Sequence, residues 1–139
     1  MAETLKTQEN LKQLDLTETQ ISSELIKQGQ VLGIRKDIVR LPNGNTGERE
    51  VVTHPGGVVV VPVLPNGNYL LVKQYRYAIG QLLLEFPAGK RDKVNGTPED
   101  LLLCAKRELE EETGYAANKW ESLHFIHTAP GFINEKLYF

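Results

Sequence analysis

The segment TPEDLLLCAKRELEEETG, residues 97–114, decides how the rest of the chain is read. Thr97 suits a helix N-cap, Pro98 the first helical position, and Asp100 the closing residue of a capping box. Leu101 to Thr113 contains neither Gly nor Pro, and Gly114 supplies a C-terminal stop. This spacing predicts one helix. Its second half is acidic: Glu108, Glu110, Glu111 and Glu112 crowd into five consecutive positions of a chain with a formal net charge of only −2. On a helix, like charges at i,i+3 or i,i+4 repel by about 0.2–0.5 kcal/mol per pair.

A helix turns by about 100° per residue, which sorts these acids. Glu108, Glu111 and Glu112 share one face. Glu110 points almost the opposite way, with Lys106 as its expected partner, and Arg107 is placed to reach Glu111. Leu102, Ala105 and Leu109 form the neighbouring apolar stripe, expected to dock the helix on a sheet. Grouped carboxylates are hard oxygen ligands of the kind Mg²⁺ or Mn²⁺ takes, one or two at a time, beside waters and substrate phosphates. The scarcity of His and Cys argues against zinc. A metal held this way would polarise a phosphate and activate a water. On geometry alone two readings stand, a metal site and a solvated charge cluster.

Outward from the helix, the pattern is one of strands. VLGIRKDIVRL (31–41) and EREVVTH (48–54) alternate as a pair joined by an Asn-Gly turn. The phrase LPNGN recurs at 64–68, one turn solution used twice and not a domain repeat. Val58–Val63 is apolar on both faces and reads as a central, doubly covered strand. LLLEF (82–86) is a short strand leading into PAGKRDKVNG, a loop by composition. After the helix, WESLHFIH and EKLYF read as strands around a TAPGF loop. The expected organisation is a loose or partly helical polar tail over 1–20, N-terminal strands over 21–56, and a main domain over 57–139. Strands, a helix and strands again predict a mixed α/β or α+β domain. The chain stops inside an alternating pattern, so it is expected to be part of a longer protein.

With 139 residues, 40% of them hydrophobic, the chain is large enough to bury a core. A pI near 5.9 gives no electrostatic reason to expect nucleic acid or a membrane surface as partner. The amino terminus lacks the apolar region of a signal peptide, and no apolar run approaches the roughly 20 residues of a membrane span. The expectation is a soluble, cytoplasmic protein. Cys104 falls inside the helical apolar pattern and reads as a small core residue. His54, His124 and His127 have no metal-ligand spacing and read as structural.

Glu99, seven residues, Arg107-Glu108-Leu109, one residue, Glu111-Glu112, one residue and Gly114-Tyr115 together resemble the box of the Nudix hydrolases. The strict box has a Gly where this chain has Lys93; Gly89 of EFPAGK takes that place, across a loop four residues longer. EREVVTHPGGVVVVPV, LLVKQYRYAIGQLLLEFPAGK and TAPGFINEK resemble the ADP-ribose pyrophosphatase branch, over about residues 22–139. The resemblance implies an α/β/α sandwich with N-terminal dimerisation strands, and Mg²⁺- or Mn²⁺-dependent hydrolysis of a nucleoside diphosphate sugar. For ADP-ribose the products are AMP and ribose 5-phosphate.

Residue by residue, the resemblance makes Glu108 and Glu112 metal ligands, and Glu111 a ligand or water-positioning acid. The Ala88 carbonyl would be a further ligand. Arg76 would contact the diphosphate. Arg49 would lie near the adenine or ribose, in a homodimer from the partner subunit. Glu135 would approach a phosphate or metal, and Glu85 either joins the metal shell or pairs locally. The branch commonly takes its general base from a loop glutamate well after the box, beyond Phe139. Either Glu111 substitutes, or the catalytic set is incomplete here. The alternatives are a Nudix-like module that binds a nucleotide sugar without turnover, and a pyrophosphatase for another substrate such as GDP-mannose or NADH.

Overall fold

The structure is a computed structural model that describes residues 15–139. Most of the polar tail expected over 1–20 lies outside the described residues, and its last two, Thr19 and Gln20, already belong to a strand.

Three strands, β1 (Thr19–Gln28), β2 (Gly33–Arg40) and β3 (Thr46–Thr53), form an antiparallel sheet in that order. The β2–β3 turn closes with Gly44 N donating to Leu41 O at 2.9 Å and Leu41 N to Asn45 O at 2.8 Å. The second LPNGN repeats this arrangement, with Gly67 N to Leu64 O and Leu64 N to Asn68 O both at 2.8 Å. In each, the Asn side chain two residues back caps the next Asn amide at 3.0 Å. Both glycines carry a positive φ, 85° and 83°, the left-handed step that lets a three-residue turn rejoin its strands. The repeated phrase is one turn used twice, as expected.

The central sheet has the order β10-β11-β4-β7, from β4 (Gly57–Val59), β7 (Ala88–Lys90), β10 (Phe125–His127) and β11 (Lys136–Tyr138). β4 runs parallel to β11 and antiparallel to β7, which makes the sheet mixed. A separate hairpin pairs β5 (Val72–Arg76) with β6 (Gln81–Glu85) through a 3-10 turn at Tyr77–Ile79. The valine run is central, but it is a strand for a shorter stretch than Val58–Val63. Val60 still donates to Pro87 O, at 2.8 Å. Pro62 has no N–H to continue the ladder, and Val63 is 63% exposed.

PAGKRDKVNG is more ordered than its composition suggests. It supplies β7 and then β8 (Lys93–Val94), which turns at Asn95-Gly96 to pair with β9 (Thr97–Pro98). Helix α1 (Leu101–Thr113) follows and ends at Gly114, in left-handed conformation with its N–H on Glu110 O. The N-cap is Asp100, not Thr97. Asp100 Oδ1 accepts from Leu102 N at 3.0 Å and Leu103 N at 3.1 Å, a cap of about 1 kcal/mol, because residues 97–98 are taken by the hairpin. WESLHFIH contributes only Phe125–His127 to a strand.

Helix α1 packs across β7 and β4. The docking face shares Leu109 with the predicted stripe but adds Cys104 and Glu108, whereas Leu102 is 44% exposed. Leu109, 2% exposed, contributes roughly 1.5–3 kcal/mol by its burial. The N-terminal sheet is tied to the main domain along β3. Val52 N donates to Phe132 O at 2.7 Å, Asn134 N to Val52 O at 3.2 Å, and His54 N to the Asn134 side chain at 2.8 Å. Among the described residues no helix is long and apolar enough to cross a membrane.

Candidate active site

The docking of α1 turns two of its acids inward against β7. Glu108 is buried, and its carboxylate lies directly on the backbone of Gly89, where any side chain would collide with it. One turn later, Glu112 Oε2 accepts from Ala88 N at 3.1 Å, and Oε1 accepts from Gln74 Nε2 at 2.8 Å. Glu111, on the outer edge of the same face, is exposed.

Arg107 is the hub that relieves the repulsion among these acids. Its Nη1 donates to Glu108 Oε1 at 2.7 Å and to Glu111 Oε2 at 3.1 Å. Its other edge grips Glu99, through Nη2 to Oε2 at 2.8 Å and Nε to Oε1 at 3.2 Å, and touches Lys90 O at 3.3 Å. The fork geometry of a guanidinium makes this possible. The hydrogen bonds from Arg107 pull the Glu99 carboxyl down to about 2, and Glu99 and Glu108 in turn raise Arg107. Burial pushes Glu108 above the ordinary carboxylate range, opposed by Arg107 and assisted by Glu111 and Glu112. Burial also pushes the Cys104 thiol up to about 12, so this core cysteine is unreactive.

The remaining predicted residues fall into separate places. Arg76 projects from the same face of β5 as Gln74 and pairs with Glu85 through two nitrogens, Nε lying 2.9 Å from Oε1. That hydrogen bond raises Arg76 and lowers Glu85, and Arg76 also feels the charge of Glu112. Glu85 is thus locally paired. Arg49 belongs to β3 and pairs with Glu18. Glu135 accepts from Thr128 Oγ1 at 2.7 Å and lies 3.1 Å from His54 Nδ1. Glu110 forms no ion pair with Lys106 among the described residues.

Two contacts were not foreseen. The Gln74–Glu112 bond joins residues 38 apart, and only the shared strand face with Arg76 hinted at it. The close approach of Gly89 to Glu108 could not be read from spacing either.

Among the described residues no group of three His, Cys, Asp or Glu side chains is gathered tightly enough to enclose an ion. Mg²⁺ does not need such a cage, since it keeps waters and takes one or two carboxylates. The donor set fits that demand. Glu108 and Glu112 are hard oxygen donors one helical turn apart, both leaning on the backbone of Ala88 and Gly89. The buried negative charge of Glu108 is only partly compensated, which favours a cation nearby.

A mixed sheet, a capped acidic helix laid over one of its edge strands, and a paired-carboxylate edge define a Nudix-type domain. The chain belongs to the Nudix family: the NUDIX domain matches residues 53–138, and the nucleoside diphosphate sugar hydrolase N-terminal domain matches residues 18–52. It is 42% identical over 120 residues to a protein of Bacillus subtilis named ADP-ribose pyrophosphatase, covering 86% of this chain and 63% of the relative. It is also 42% identical over 118 residues to a methanol dehydrogenase activator of Bacillus methanolicus, covering 85% and 62%. The chain therefore spans less than two thirds of the length of either. A crystal structure of an ADP compounds hydrolase superposes with a TM-score of 0.74 at 22% identity, over 88% of this chain and 64% of that one, and shares the fold.

Proposed function

We propose that this chain carries the site of a nucleoside diphosphate sugar hydrolase, with ADP-ribose or a related ADP-sugar as substrate and Mg²⁺ or Mn²⁺ as the metal. The observation that carries the reading is the inward pair Glu108 and Glu112, laid on the backbone of Ala88 and Gly89 with Arg76 on the neighbouring hairpin. The match of residues 18–52 to a nucleoside diphosphate sugar hydrolase N-terminal domain supports the substrate class. The name of the Bacillus subtilis relative supports ADP-ribose within it. We divide the chain into N-terminal strands, 21–56, and the Nudix domain, 57–139.

Glu108, Glu112 and the Ala88 carbonyl would hold the metal, with Glu111 at the outer edge. When bound, the ion supplies Lewis-acid neutralisation of diphosphate charge and lowers the pKa of water. Arg107 bridges Glu108 and Glu111 through one nitrogen and so orients both carboxylates. Arg76 carries the charge that a diphosphate oxygen would exchange for Glu85, and a guanidinium can clamp such oxygens with two donors. Glu111 is exposed, with Arg107 as its ion-pair partner among the described residues, and would be the acid placed to accept a proton from water. Exposed apolar residues on β1, Ile21, Leu25 and Ile26, suit a homodimer built through the N-terminal strands, in which Arg49 would face the partner's nucleotide. A cytoplasmic setting goes with this substrate.

Incubation with ADP-ribose and Mg²⁺, followed by chromatography for AMP, tests the reading. The wild-type chain is expected to release AMP, and E112Q to lose at least about 10²-fold in rate with its fold intact. Wild-type turnover by E112Q would overturn the assignment of the site. Binding of ADP-ribose without AMP release would make the chain a nucleotide-sugar binding module instead.

A further inference from the structure

The acids of α1 are held by two different hands. Arg107 grips Glu99, Glu108 and Glu111, but makes no bond to Glu112. Glu112 is held instead by one backbone amide and one side chain, Ala88 N on Oε2 and Gln74 Nε2 on Oε1. Because an ionised carboxylate only accepts hydrogen bonds, the amide nitrogen of Gln74 and not its oxygen must face Glu112. Gln74 is half-buried in the middle of β5, which is paired along its full length with β6. The donor is thus fixed to a strand, not carried on a loop.

We propose that Gln74 is the positioning residue for Glu112: it sets the rotation of that carboxylate and so the direction of the lone pairs left for a divalent cation. The inference rests on the metal reading given above. A neutral donor suits the position. A Lys or Arg at 74 would neutralise Glu112 and compete with the cation, as Arg107 already does at Glu108. A carboxamide fixes the geometry and leaves the charge available. Outer partners of this kind typically tune metal affinity by about 10- to 100-fold.

The test is Mn²⁺ binding in the absence of substrate, read from the free-ion electron paramagnetic resonance signal, in a double-mutant cycle with E112Q. Q74M removes the donor at similar volume, and Q74N keeps the amide but is too short to reach, so a folding defect in one leaves the other. Both variants are expected to raise the Mn²⁺ dissociation constant about 10- to 100-fold. In the E112Q background the same changes are expected to add less than about twofold, since their target is gone. Wild-type Mn²⁺ affinity in Q74M and Q74N, with E112Q impaired, would overturn the role of Gln74 and leave the metal site standing. An equal penalty from Q74M in both backgrounds would also overturn it. Wild-type Mn²⁺ affinity in E112Q would remove the metal reading itself, and this proposal with it.

Discussion

The carboxylate of Glu108 rests on the bare backbone of Gly89, in space that a Cβ at position 89 would fill. A Cβ built there would overlap the carboxyl carbon and both oxygens. Gly89 cannot retreat, because it sits in β7 paired with Val58 of β4. Any conflict must therefore be resolved by moving Glu108.

That gives the first prediction. In G89A the Glu108 side chain is expelled from its seat while the sheet is kept. A displacement of about 1 Å in a positioned group can reduce rate by about 10²-fold. ADP-ribose hydrolysis with Mg²⁺ should fall on that order, while the circular dichroism spectrum stays that of the wild type. A G89A protein with wild-type kcat/KM would show that Glu108 has no need of its seat.

The second prediction concerns the hub. R107K keeps the charge but not the fork, and a point charge cannot bridge Glu99 on one side and Glu108 with Glu111 on the other. Leaving half-buried carboxylates without partners costs about 1–3 kcal/mol. Urea unfolding should place R107K below the wild type by that amount. An unchanged midpoint would mean that the acids find other partners.

Much of this was legible before any coordinates, for identifiable reasons. Helix α1 announced itself through periodicity and the Gly114 stop, both local signals. Its cap was misplaced by three residues because Thr97 and Pro98 are claimed by a hairpin partner at Lys93–Val94. A capping preference is weaker than a strand pairing that uses the same residues. The LPNGN turns were legible because their hydrogen bonds close within five residues. The valine run was overread because its apolarity was weighed and Pro62, in plain view within it, was not, although a proline has no N–H for a ladder. In the site, the Arg107–Glu111 contact followed from i,i+4 spacing, and the structure has it at 3.1 Å. The Gln74–Glu112 and Gly89–Glu108 contacts were not visible, because they depend on how strands and helix are laid together.

Glu99 gives the third prediction, a pH dependence. Its carboxyl is held at about 2 in the folded state by Arg107, below the unfolded value of about 4.3. A depressed folded pKa means the contribution is present above about pH 4.3 and is lost as pH falls toward 2. E99Q should therefore be less stable than the wild type at pH 7, and the difference should shrink steadily between pH 5 and 3. Urea midpoints at several pH values check this. A gap that stays constant with pH would mean that E99Q loses packing and not an ion pair.

Glu108 is expected to behave in the opposite sense, and a metal should reverse it. Burial raises its carboxyl above the unfolded value, so its favourable contribution is lost as pH rises through the folded pKa. At pH 7 without divalent ions the ionised Glu108 is held against its burial, and E108Q should be more stable than the wild type. With Glu108 as the proposed ligand, saturating Mg²⁺ is expected to change the order, because only the wild type keeps that carboxylate. An ion present at 100 times its dissociation constant stabilises the native state by about 2.7 kcal/mol. Thermal melts in EDTA and in Mg²⁺ should therefore cross, E108Q ahead in the first and the wild type in the second. If E108Q is the less stable protein in EDTA, Glu108 serves the fold through Arg107 more than it strains it. If the melts fail to cross in Mg²⁺, Glu108 does not hold the ion.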